Sequence, residues 1–468
     1  MMATTVVTAG LGYVFWVFAA HAFTKQEVGI GSAVISLCST VALLTYLGSS
    51  AMLIERLPAS EYSSAWTAVL MRICLATAGV TVLVMVAIVP VLRIFSQYRP
   101  FFGSTLSALL AVAGAAAWTV VNLFGSAFIA ARRAGRLLSI QTLISVIKVL
   151  LIFPYAAVGM DASGLVGAWT ASAMVGVCIG AIWLVPQMGL GRRLGHDPRR
   201  RTDEGVDGRP LLRGRSRRRP QHRRPFAPPS KASIRRMFGQ HLTSVGGALT
   251  PLLLPVLVVL RLGATSNAYF YITWMVGGVF FMVSPSVASA LFAEGMREGS
   301  DLRGVTTRAM KVIAVLLVPA MAVMIIGGRL VLGFFGASYA TAGYGLLILL
   351  AASALPDAVS NIAVAVCRVT NHLGYSTMLN LGILIATLAT AWVLMPSLGI
   401  AGAGVAWLAV QVIGALASLP AYVWIIRRPA PDSIGRRLRA VPASGRTAAL
   451  RAAHSNAVTG WPPSSEVA

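Results

Sequence analysis

The chain has 468 residues, of which 57% are apolar and only 11% charged, with a mean hydropathy of +0.76. Soluble proteins carry about 25% charged residues, so this composition cannot cover a water-facing surface of such size. It excludes a soluble enzyme, a secreted disulfide scaffold and a disordered chain, and it fits a polytopic helical membrane protein.

Twelve apolar runs follow in chain order, at 3–23, 29–54, 66–92, 104–131, 137–158 and 163–188, then 237–261, 267–292, 308–334, 340–366, 375–397 and 400–426. Each is long enough to cross a core of roughly 30 Å at 1.5 Å per residue. None alternates as a barrel strand would, so the runs read as helices. The first reads as a span and not as a cleaved signal, because no small-residue cleavage pattern closes it. The expected fold class is all-α, with twelve transmembrane helices in two parallel six-helix bundles and a central cleft. The expected division is an N-terminal bundle (1–188), a linker (189–236), a C-terminal bundle (237–426) and a tail (427–468).

The net charge of +25 is concentrated. Residues 189–236 hold 16 Lys/Arg against 4 Asp/Glu, and residues 427–468 hold 7 against 2. Such clusters beside apolar spans follow the positive-inside rule and suit anionic lipid head groups, so no nucleic-acid partner is expected. The even loops carry Arg56, Arg132, Arg133, Arg136, Arg297, Arg303, Arg308, Lys311 and Arg368, whereas the odd loops hold only Lys25, Arg93, Arg99, Arg261 and Arg329. This bias puts both termini and the central loop in the cytoplasm of a multi-pass plasma-membrane protein. The linker and tail, rich in Arg, Pro and Gly, read as disordered.

Residues 1–188 and 237–426 resemble each other at a shift of about 239 residues. Glu55 falls on Glu294, Asn122 on Asn361 and Gly135 on Gly374, and SGLVGAW (163–169) lies over AGAGVAW (401–407). Six spans per half is an even number, so the repeat is parallel, with a pseudo-two-fold axis along the membrane normal.

Ionisable groups deep in a span cost roughly 2.5–3.5 kcal/mol on insertion scales and point to function. Lys148 lies near the middle of the fifth span and either lines a cleft as a phosphate-binding cation or forms a structural contact. Asp357, after Pro356, is the one acid deep within a span. It either binds a coupling Na⁺ or proton or pairs with a basic residue. Glu55 and Glu294, with Arg56 beside the first, close helices at the cytoplasmic edge, as a gating pair or as solvated ends. His21 and Arg261 hold matching outer positions, either greeting phosphate or anchoring helix ends. Arg72 and His241 read as a snorkelling side chain and a packing group. Pro251, Pro255 and Pro285 either break helices 7 and 8 for gating or set fixed kinks for packing. The string GVCIG (176–180) is expected at a close helix contact. Cys38, Cys74, Cys178 and Cys367 show no metal-ligand spacing, and no Walker A or HExxH string is present, so neither an ATP-driven pump nor a metalloenzyme is expected.

The segment VTAGLGYVFWVFAAHAFTKQEVGIGSAVIS (7–36) is similar to the opening of prokaryotic polysaccharide and O-antigen flippases, as are TSNAYFYITWM (265–275) and PSVASALFAEG (285–295). These belong to the multidrug/oligosaccharidyl-lipid/polysaccharide exporter (MOP) superfamily, and the resemblance covers about residues 3–426. It implies a non-enzymatic, monomeric transporter that flips a polyprenyl-pyrophosphate-linked oligosaccharide to the outer leaflet by alternating access, alongside polysaccharide assembly proteins. It implies no cofactor beyond a coupling Na⁺ or proton. The alternatives are a cation-coupled multidrug antiporter of the same superfamily or a membrane-embedded polymerase or ligase.

Overall fold

In a computed structural model, residues 2–56, 64–130, 133–184, 231–296, 301–370 and 372–427 are described. They form helices, with no strand among the described residues. The first bundle contains α1 (Met2–Ala22), α2 (Lys25–Arg56), α3 (Ser64–Ile94), α4 (Arg99–Phe102), α5 (Thr105–Ala130), α6 (Ala134–Ala157) and α7 (Ala162–Leu184). The second contains α8 (Lys231–Leu262), α9 (Ala264–Gly277), α10 (Phe280–Gly295), α11 (Leu302–Gly333), α12 (Ala337–Val369), α13 (Leu373–Leu398), α14 (Ile400–Ala417) and α15 (Leu419–Arg427). Among the described residues, ten helices are long and apolar enough to cross a membrane, or eleven with the bent pair α9–α10 counted as one, and α1 is a shorter apolar helix.

Several helices outrun their apolar runs. The sequence 231–236, assigned to the linker by composition, is the first turn and a half of α8. Lys231, Arg235 and Arg236 tolerate helix well, so the helix continues past the apolar stretch. The rest of the expected linker and almost all of the tail lie outside the described residues.

The two proline readings divide between the helices. Helix α8 runs unbroken through Pro251 and Pro255. The eighth run is broken, with a bend of 41° between α9 and α10, but the break precedes Pro285. A proline ring displaces the carbonyl four residues earlier, here that of Phe281, so the chain gives way just above it, at Gly278–Val279. The twelfth run also divides, at Ser418, ahead of Pro420.

Both bundles use the same pairwise packing. Helix α5 packs on α3 and α7, α7 on α6 and α6 on α1; in the second bundle α12 packs on α11 and α14, α14 on α13 and α13 on α8. The turn before the last helix of each half is made by a glycine with positive φ, Gly159 at 70° and Gly399 at 59°. Within the first bundle a Cβ on Gly176 or Gly180 would strike Ile144 or Phe124, so the GVCIG string does sit at a close helix contact.

The bundles meet along α2, which packs against α8 and α9. At the end of the molecule where α1 finishes and α2 begins, one apolar cluster spans both bundles, with Phe15, Val28 and Val34 from the first and Val259, Ala268 and Ile272 from the second.

Candidate functional site

A cavity of about 240 Å³ lies inside the second bundle, walled by α8, α9, α10, α12, α13 and α14. Its lining includes Thr250, Pro251, Trp274, Phe281, Pro285, Asp357, Asn361, Asn380, Trp407 and Gln411. Asp357 is the only ionisable group in that lining. Helical periodicity sets the geometry. Asn361 is one turn beyond Asp357 on α12, and Gln411 is one turn beyond Trp407 on α14. Gln411 Nε2 donates to Asp357 Oδ1 at 3.3 Å, and Asn361 Nδ2 donates to the Asp357 carbonyl at 3.0 Å. Asn380 Nδ2 donates to the Thr243 carbonyl at 2.9 Å, tying α13 to α8 beside the cavity.

Two acceptor oxygens are left over. Asp357 Oδ2 and Gln411 Oε1 are buried without a hydrogen bond of good geometry; the side chains of Ser284 and Asn361 are the donors nearest the carboxylate, and the buried Ser284 hydroxyl is likewise without a well-formed bond. A buried carboxylate oxygen without a well-formed hydrogen bond is costly unless a cation or a proton satisfies it. No basic side chain pairs with Asp357 among the described residues. A carboxylate, a carboxamide oxygen and nearby hydroxyl groups are the ligands a hard monovalent cation takes. A proton on Asp357 would instead donate to Gln411. The space is enough for several waters at about 30 Å³ each.

The internal repeat shows which residues hold the matching positions in the first bundle. At the offset that pairs Asn361 with Asn122, Asp357 falls on Trp118 and Trp407 close to Trp169. Asn122 Nδ2 bonds the Trp118 carbonyl at 2.8 Å, matching the bond of Asn361. Trp118 packs on Trp169 with ring centroids 5.4 Å apart, so the first bundle has an indole at the position that holds the carboxylate in the second.

Lys148 lies in the other bundle. It is half-buried on α6, with Nζ 4.7 Å from the ring centroid of Phe15 on α1, and no carboxylate lies within ion-pair distance among the described residues. Phe15 packs edge-on against Trp16, which packs on Tyr271 of α9, so Lys148 stands one aromatic layer behind the seam between bundles. Its repeat mate is Thr387, a buried hydroxyl without a partner.

The other predicted residues do not gather with Lys148 or Asp357. His21 is exposed and its Nδ1 contacts the Val17 carbonyl at 2.8 Å. Arg261 covers the Trp392 ring at 4.8 Å on the side of the second bundle. Glu294 pairs with Arg308 at 3.3 Å, a half-exposed contact between α10 and α11 that does not bridge the bundles; such pairs add little stability. The side chains of Glu55, Arg56 and His241 lie outside the described residues. Arg72 is exposed on α3. None of Lys148, His21 and Arg261, expected with Arg56 to line a cation-lined cleft, is in the lining of the cavity at Asp357. Sequence reasoning did not single out Gln411 or Trp407. The lone amide in the apolar run 400–417 was the available signal for Gln411.

No protein-family model matches the chain, and no curated protein does. Solved structures do. A MOP superfamily transporter from Pyrococcus furiosus, described as having a binding pocket of reversed polarity that suggests a different function, aligns with a TM-score of 0.59 and 16% identity over 91% of this chain and 94% of its own. An inward-facing multidrug resistance MATE family transporter of the MOP superfamily aligns with a TM-score of 0.57 and 16% identity over 90% and 94%. An outward-facing structure of a MATE transporter aligns at 0.58 and 16% over 91% and 93%. The chain thus has the all-helical fold of MATE and related MOP superfamily transporters along nearly its whole length.

Proposed function

We propose that the chain is an alternating-access membrane transporter whose second bundle binds a coupling cation, Na⁺ or a proton, at Asp357. The observation that carries this is the pair of buried, unpartnered acceptors, Asp357 Oδ2 and Gln411 Oε1, facing one cavity. Occupancy of that cavity would change how α8, α9, α10, α12 and α14 pack, and α8 and α9 are elements that touch α2 of the other bundle. Binding in one bundle is thereby linked to the seam.

The substrate reading that fits the first bundle is an anionic amphiphile, a polyprenyl-pyrophosphate-linked oligosaccharide moved from the cytoplasmic to the outer leaflet. A half-buried ammonium without a carboxylate partner attracts phosphate, and a pyrophosphate sugar head group cannot cross hydrocarbon unaided. The sequence resemblance of residues 7–36 and 265–295 supports the same substrate. A second reading, cation-coupled export of organic cations, is favoured by the acid being the cavity's only ionisable group and by the MATE-like fold.

The test is reconstitution in proteoliposomes with a head-group-labelled lipid-linked oligosaccharide, read by protection from an impermeant quencher under an imposed Na⁺ or proton gradient. The expected result is gradient-stimulated leaflet exchange with no covalent product, reduced roughly tenfold or more by Lys148→Ala and largely retained by Lys148→Arg. Gradient-driven efflux of an organic cation, unaffected by Lys148→Ala and without glycolipid exchange, would replace this substrate by the second reading.

A further inference from the structure

The seam between bundles is sealed at one end by an unusual contact. Asn267, on the first turn of α9, is fully buried, and its Nδ2 donates to the Gly29 carbonyl at 2.7 Å and to Ser32 Oγ at 3.1 Å on α2. A Cβ on Gly29 would collide with the Ala264 carbonyl oxygen at the start of α9, so the two backbones touch because position 29 is glycine. Helices α2 and α9 are repeat equivalents, and Gly29 and Asn267 are repeat mates to within one residue, so this contact lies on the pseudo-two-fold axis. Further out, Tyr13 Oη donates to the Met275 carbonyl at 2.8 Å and Tyr98 Oη to the Val256 carbonyl at 3.3 Å, each crossing between bundles.

The geometry points to Asn267 and Gly29 as a latch that holds this end of the transporter closed, its release being the step that opens this face. This rests on the alternating-access reading. The charge bias makes this the outer face, so the structure is the one closed outward. A latch of two directed hydrogen bonds plus backbone contact suits a reversible gate. Both bonds are made by one side chain and vanish together when α2 and α9 part. An apolar seal alone has no such all-or-none element. Separation exposes the Gly29 carbonyl, Ser32 and the Asn267 amide, all of which water then satisfies.

The test uses the full chain in nanodiscs, where both faces are reachable, with Cys38, Cys74, Cys178 and Cys367 replaced by alanine and Val28→Cys as reporter. Val28 is fully buried in the seal. The readout is the rate of labelling by a hydrophilic maleimide. Asn267→Ala, Asn267→Asp and Gly29→Ala each weaken closure differently, and each is expected to raise the rate on the order of tenfold. Unchanged rates in the variants that remain monodisperse would overturn the latch. Labelling needs neither substrate nor coupling cation. Accelerated labelling together with no transport in any gradient would leave the latch standing and remove the transport reading.

Discussion

At the scale of single residues, the second bundle is built around one carboxylate that its own bundle leaves half-satisfied. Asp357 takes one hydrogen bond from Gln411 and has a second oxygen waiting. Replacing Gln411 by Leu removes that donor and a ligand oxygen while preserving bulk. Cation affinity, measured by titrating Na⁺ or protons against transport rate, is expected to fall about tenfold, the worth of one hydrogen bond to a charged group. Unchanged affinity would remove Gln411 from the site. Asp357 was legible in the sequence because a carboxylate deep in an apolar run is costly enough to demand a reason. Its partners were not. Trp274, Trp407 and Gln411 are ordinary in an apolar helix until the fold brings α9, α12 and α14 to one cavity. Nor does a sequence reveal that Trp118 holds the equivalent place in the first bundle, since the repeat is diffuse and the exchange of indole for carboxylate looks like drift. His21 and Arg261 were picked for matching positions along their helices. Their side chains stay at helix ends, on a backbone carbonyl and on Trp392.

At the scale of elements, apolar runs mark where helices cross and say less about where they start, bend or stop. The helices gain a turn wherever flanking residues keep good helical propensity, as at Lys231–Arg236. Prolines alone do not locate bends. Pro251 and Pro255 stay within a continuous helix, and the one broken pair needed Pro285 together with the glycines at 277 and 278 upstream. Turns are more demanding. Gly399 has φ 59° and ψ −143°, a region essentially closed to residues with a Cβ. Gly399→Ala should cost about 1–3 kcal/mol of stability. Thermal unfolding of the detergent-solubilised protein would show a lower midpoint, and Gly374→Ala, which meets no neighbour, serves as the control. An equal effect from both would contradict the assignment of strain to Gly399.

At the scale of the whole molecule, duplication supplies two similar bundles, and divergence gives each a different ionisable group. The first holds a cation, Lys148, behind an aromatic layer at the seam; the second holds an anion, Asp357, in a cavity. Their repeat mates, Thr387 and Trp118, are uncharged, so the pair of opposite charges is a property of the duplicated whole and of neither half. Deleting residues 200–228 should leave leaflet exchange intact, because that stretch has the composition of a solvated connector. Lost exchange in a stably inserted deletion would give the connector a task of its own. The claim on which the rest depends is that Asp357 binds the cation that drives the cycle. Trp274 and Trp407 line the same cavity, so tryptophan fluorescence of the protein in nanodiscs reports its occupancy. Titration with Na⁺ at fixed pH, and with acid at fixed ionic strength, is predicted to give a saturable change with one of the two. That change should be absent in Asp357→Asn; identical titrations for the two proteins would contradict it.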